Sequence, residues 1–177
     1  MKRRHLDGLP GIELPPGYTI RTSQDGDGPH WARIIRESFT NDTFDASSFE
    51  SVMKTHPAYQ PDRIFFACGP DGVPCGTASA YRGEAYGADT GYVHYVGVCP
   101  AQVGKKLGAA LSLAVLHKFR AEGLQSAVLQ TDDFRLPAIK TYLRLGFSPM
   151  IVHENQPARW ARVFERTGLS APADYGV

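Results

Sequence analysis

The stretch VGVCPAQVGKKLGAAL, from Val96 to Leu111, limits the fold more than any other part of the chain. A β-branched run ends at Cys99-Pro100. Proline has no N–H to give to a sheet ladder, so the strand stops there. Leu107, Leu111, Val115 and Phe119 then recur every four residues until Gly123, the spacing of one buried helix face. Gly104 and Gly108 bracket the turn between strand and helix. A helix leaves its first N–H groups without intrahelical partners, and its dipole makes that end positive. Lys105 and Lys106 add charge at the same place, so the turn is suited to an anion, most often a phosphate.

The rest of the chain builds a mixed sheet around this unit. YTIRT alternates like a strand, and HWARIIRESF carries Trp31, Ile34, Ile35 and Phe39 at helical spacing, with Asp27 placed to cap it. DASSFESVMKT suits a short second helix. RIFFAC and CGTASAY read as a hairpin turning at Asp71-Gly72, and GYVHYVGV as the next strand. SAVLQT, LPAIKTYLRLGF and FSPMIV follow as strand, helix and final strand, and ARWARVFERTG as a last helix. The fold class is therefore α/β: a mixed, largely antiparallel central sheet flanked by helices on both faces. Residues 1–17, rich in Pro and Gly, read as an extended N-terminal arm; 18–152 form the domain, and 153–177 a helical tail packed on it.

Composition removes several classes of function. A length of 177 residues suits one domain, and a net charge of +1 offers no basic face for nucleic acid. No apolar run approaches the roughly 20 residues of a membrane span. The basic start MKRRH is not followed by the apolar core of a signal peptide. The three cysteines form no CxxC pair and the six histidines show no ligand spacing, so neither disulfide nor metal is expected and the expected location is the cytoplasm.

Which anion the turn takes can be tested on its letters. A Walker P-loop fails, because Cys99 stands where its first Gly belongs and Lys106 where Ser or Thr belongs. No GxGxxG spacing exists for a dinucleotide. Val98-Cys99-Pro100 followed by Val103-Gly104-Lys105-Lys106-Leu107-Gly108 instead resembles the acyl-CoA signature of the GNAT acetyltransferase superfamily. Val103 departs from its usual Arg or Gln, and Lys106 from its first Gly. A second motif of that family matches at Ala138, Tyr142, Gly146 and Phe147, with Arg135 in place of Asn. The resemblance covers roughly residues 18–152.

The resemblance implies an acetyl-CoA-dependent N-acetyltransferase with acetyl-CoA as acyl donor and no metal. The sheet would splay between 92–98 and 126–131, with the pantetheine arm along Val96, Gly97 and Val98. The amides of Val103, Gly104, Lys105, Lys106, Leu107, Gly108 and Ala109 would hold the pyrophosphate, with Ala138 and Tyr142 facing the cofactor and Arg135 reaching either the cofactor or an anion on the solvent side. Tyr142 is the implied acid for the departing thiolate. His94, which titrates in the working range, is the candidate base for an amine acceptor, small molecule or peptide. Glu84 is a further candidate. Strand alternation places Tyr95 on the face opposite His94. The tail helix either covers the acceptor site or forms the surface of a homodimer. A CoA-binding domain of the same fold without turnover is the alternative, motivated by Val103 and Lys106.

Overall fold

A computed structural model describes residues 1–40, 42–173 and 175. Six strands form one sheet: β1 (Lys2–Arg3), β2 (Thr19–Thr22), β3 (Ile64–Cys68), β4 (Pro74–Arg82), β5 (Thr90–Val98) and β6 (Ser126–Leu129). Their spatial order is β1-β6-β5-β4-β3-β2, antiparallel except for the parallel pair β5–β6. The helices are α1 (Gly28–Phe39), α2 (Leu107–Ala121), α3 (Leu136–Arg144) and α4 (Gln156–Thr167). Among the described residues no helix is long and apolar enough to cross a membrane.

The helical faces bury as their spacing dictates. Trp31, Ile34 and Ile35 of α1 are inaccessible, as are Leu111, Val115 and Phe119 of α2. The two helices lie on opposite faces of the sheet. A Cβ on Gly91 would stand 2.5 Å from the Phe119 ring of α2, whereas a Cβ on Gly97 would meet Ser38 and Ile35 of α1. Positions 91 and 97 are six apart and should share a face in a regular strand. They do not, because β5 carries an extra residue: Ser79 pairs with His94 but Thr77 with Gly97. This is a β-bulge, and Tyr95 within it sits at φ +47°.

The bulge corrects the expectation for Tyr95. Its ring centroid lies 4.0 Å from that of His94, on the α1 face, where it also meets Trp31 at 5.2 Å and Phe39 at 6.4 Å. An L-residue in this conformation costs about 1–2 kcal/mol, which edge-on aromatic packing of about 0.5–1.5 kcal/mol per pair offsets.

Three further features differ from the expected pattern. FSPMIV is not a strand; Ser148 alone bridges to Lys2, and Pro149 has no N–H to extend the ladder. The edge beside β6 is taken by β1, so the arm's first residues belong to the sheet. Asp27 occupies the N-cap position of α1, but its side chain makes no cap hydrogen bond. Its carboxylate instead accepts from Arg21 at 2.6 and 2.8 Å and from the Gln24 N–H at 2.7 Å. These partners hold it below the usual carboxylate range, overcoming the opposing effect of burial.

Gly91→Ala tests the α2 interface. Phe119 is fully buried and cannot withdraw, so we expect a loss of about 1–3 kcal/mol, read as a lower urea midpoint at unchanged slope.

Candidate functional site

The parallel pairing of β5 with β6 ends at Val93–Leu129. Among the described residues β5 runs on to Val98 without a partner on that side, and the gap opens a cleft of about 450 Å3. Val96, Gly97 and Val98 form one wall, and Arg135, Ala138 and Tyr142 of the α3 region form the other. Val103, Gly104, Lys106, Leu107, Gly108 and Ala109 close its end. Ser38, Gln102, Pro137 and Thr141 also line it, which motif matching does not flag.

The closing turn has the geometry of an anion cradle. No backbone hydrogen bond is made by the N–H groups of 104–108 among the described residues. Gly104 sits at φ +89° with no atom within 4 Å of a would-be Cβ, so a ligand can approach its backbone. Lys106 is the residue before α2 and adopts φ +58°, ψ +15°. That left-handed conformation is the reason a glycine is usual at this position. Val103 lines the cleft, but its side chain is apolar and offers an anion no hydrogen bond or charge.

Of the residues expected to hold the cofactor, Lys105 alone does not line the cleft. Its ammonium donates to Gln102 Oε1 at 2.7 Å and to the Tyr18 hydroxyl, and lies over the Tyr18 ring. Cys99 is buried and accepts from Arg33 Nη1 at 3.2 Å. Burial pushes its thiol up to about 11, so it holds its proton at neutral pH, as a turn-filling cysteine does.

A smaller chamber of about 190 Å3 continues the cleft. It shares Val96, Arg135, Ala138 and Tyr142 with the cleft and adds His94, Tyr92 and Phe39. Tyr142 and His94, far apart in sequence, therefore face one space. Burial moves their titrations in opposite directions. Tyr142 rises to about 12, with the Arg135 charge opposing the rise. His94 falls to about 4, burial acting first and the His56 charge second. At neutral pH both groups are uncharged, and burial takes His94 out of the working range in which an ordinary imidazole titrates, which corrects that expectation. The side chain of Glu84 lies outside the described residues.

A third cavity, of about 500 Å3, adjoins the chamber through Tyr92, Gln130, Thr131 and Asp132. Gln156, Arg159 and Trp160 of α4 wall it, so the tail helix faces this end of the site. Arg159 makes a two-pronged pair with Asp133, at 2.6 and 2.9 Å. Among the described residues no group of three or more His, Cys, Asp or Glu is arranged to hold a metal ion.

The acetyltransferase (GNAT) family model matches residues 29–147. The mycothiol acetyltransferase of Nocardia farcinica is 44% identical over 152 residues, which cover 80% of this chain and 48% of that protein. That of a Nocardioides species is 30% identical over 167 residues, 84% of this chain and 56% of that one. The chain thus spans about half the length of the curated relatives it matches. Among solved structures, the Escherichia coli ribosomal-protein-S18-alanine N-acetyltransferase aligns with a TM-score of 0.62 at 20% identity, over 78% of this chain and 82% of its own. A Brucella melitensis GNAT acetyltransferase in complex with acetyl-CoA aligns with a TM-score of 0.58 at 19% identity, over 75% and 83%. These two likenesses concern the fold.

The lowered His94 titration has a signed consequence for stability. Below its ordinary 6.5 the unfolded chain takes up a proton that the folded chain refuses until about 4. The unfolded state then binds more protons, so this contribution leaves stability intact above pH 6.5 and erodes it as pH falls toward 4. Urea unfolding of wild type and His94→Gln across pH 4–8 should give a stability difference that is flat above pH 7 and shifts in favour of the variant below 6.5. A difference independent of pH would contradict it.

Proposed function

The chain belongs to the GNAT acetyltransferase family, and on that premise we propose that it transfers an acetyl group from acetyl-CoA to the amine of a small acceptor in a ternary complex. The observation that carries this reading is the continuous space joining the unpartnered N–H cradle at 104–108 to the chamber shared by His94 and Tyr142. The donor's pyrophosphate sits on the cradle, with Lys106 as its point charge. The pantetheine arm runs along Val96–Val98, whose outer edge β6 leaves open.

The chemistry needs a base because an amine of pKa near about 10 is mostly ammonium at neutral pH. That first proton leaves to water, because His94 at about 4 is too weak a base to take it from an ammonium. The free amine attacks the thioester carbonyl; as the C–S bond breaks, the nitrogen becomes acidic and its surplus proton passes to His94, while the Tyr142 hydroxyl gives the sulfur a hydrogen bond. Desolvation keeps both groups uncharged as they enter the reaction. The acceptor reaches the chamber from the cavity walled by α4. An acceptor of the mycothiol class is the first to test, since that is what the relatives are named for.

Mass spectrometry of products formed from acetyl-CoA and an amine panel tests the reading. Acetyl-CoA binding without acetylation of any amine would instead make this a CoA-binding domain without turnover. Tyr142→Phe should lower kcat by about 100-fold with little change in the KM for acetyl-CoA. Lys106→Gly should act in two directions. It relieves the left-handed backbone and stabilises the fold by about 1 kcal/mol, while removing an exposed ion pair that weakens acetyl-CoA affinity about threefold to fivefold. Thermal unfolding and calorimetry read the two effects separately. A rise in affinity would mean that the lysine obstructs the cleft.

A further inference from the structure

Arg135 stands where the family motif has a neutral asparagine, and it occupies an unusual place. It precedes α3 and lines both the long cleft and the smaller chamber, as Tyr142 does. Its Nε donates to Asp132 Oδ2 at 3.0 Å. Its guanidinium carbon lies 4.2 Å from the centroid of the Phe39 ring and 5.2 Å from that of Phe134. The group is therefore held from two sides, by a carboxylate on its own loop and by an aromatic face at the end of α1. The two Nη groups take no hydrogen-bond partner among the described residues. The side chain is 23% exposed, so its charge acts through less water than a surface arginine's would.

We infer that Arg135 is the counter-ion of the departing thiolate, a role that rests on the acyl-transfer reading above. The electron balance shows why a cation is needed there. The amine nitrogen forms a bond to the acetyl carbon, and the amine proton passes to His94. The C–S bond breaks and its electron pair stays on sulfur. Tyr142 can donate a hydrogen bond to that sulfur, but its proton is held too tightly to be given up outright. A phenol near 12 facing a thiol near about 8.5 makes full transfer uphill by roughly three to four powers of ten. A fixed guanidinium carries the negative charge on sulfur without any proton moving. The thiolate leaves as an ion pair and takes a proton from solvent afterwards. Arg135 is held in place before the charge develops, so little reorganisation is needed as it forms. The same positive charge already acts on the Tyr142 hydroxyl in the free protein.

The test is chemical rescue. Arg135→Ala should lower kcat by about 100-fold while the KM for acetyl-CoA stays within about twofold, because the interaction arises as the bond breaks. Added guanidinium should restore kcat by roughly tenfold, whereas urea, planar but uncharged, should restore nothing. Arg135→Lys should fall between wild type and Arg135→Ala, since it keeps the charge but not the planar stack on Phe39. Near-ultraviolet circular dichroism and the urea midpoint establish that each variant is folded. Equal rescue by urea, a loss confined to KM, or an Arg135→Ala variant as fast as wild type would overturn the inference and leave the acyl-transfer reading standing. A wild-type protein that binds acetyl-CoA and acetylates nothing would overturn both.

Discussion

The extra residue in β5 governs the site. Before it, Gly91 and Val93 are directed to the α2 face and Tyr92 and His94 to the α1 face. After it the phase is reversed, so Gly97 meets α1 and Val98 lies against the start of α2. The same point is where β6 stops pairing with β5. One irregularity thus turns His94 and Tyr95 to the same face and frees the edge that borders the cleft. Regular pleating would have separated the two rings and left the strand's end without its change of face. The Trp31, Phe39 and Phe44 rings around Tyr95 hold the bulge in place.

Electrostatics divides along the site. At the turn before α2 the backbone supplies open N–H donors, and side-chain charge is secondary. In the chamber the dominant effect is burial, which favours the uncharged forms of both Tyr142 and His94. Between these regions Arg135 is the fixed positive charge, anchored by Asp132 and Phe39. Open N–H donors, a fixed cation and buried uncharged groups thus follow one another along one cleft.

The two motifs were legible because each is local. Val98 to Gly108 is one strand–turn–helix, and Ala138 and Tyr142 share one helix face, so spacing alone brings their residues together. The helices were legible for the same reason, through the periodicity of α1 and α2. What the sequence did not disclose depends on distant pairing. Alternation within GYVHYVGV cannot show that β4 and β5 slip by one residue. The arm's place beside β6 excludes FSPMIV from the sheet, and neither segment carries a mark of that competition. Asp27 has the residue type and position of a helix cap, yet Arg21 on β2 takes its carboxylate. Lys105 and Lys106 read alike in the letters, and only the backbone turn between them sends one to Tyr18 and the other to the cleft.

That divergence gives the neighbouring lysines different sensitivities to ionic strength. Lys105 is bound to a phenol and an amide oxygen and lies over an aromatic ring, contacts of short range that mobile ions screen little. It latches the turn to the start of β2. Lys106 is an exposed point charge whose attraction for an anion falls as the Debye length shortens, from about 30 Å at 0.01 M salt to about 10 Å at 0.1 M. Salt therefore weakens the long-range pull on an incoming anion while leaving the shape of the cradle unchanged. Capture and retention of the same ligand respond to different solution variables.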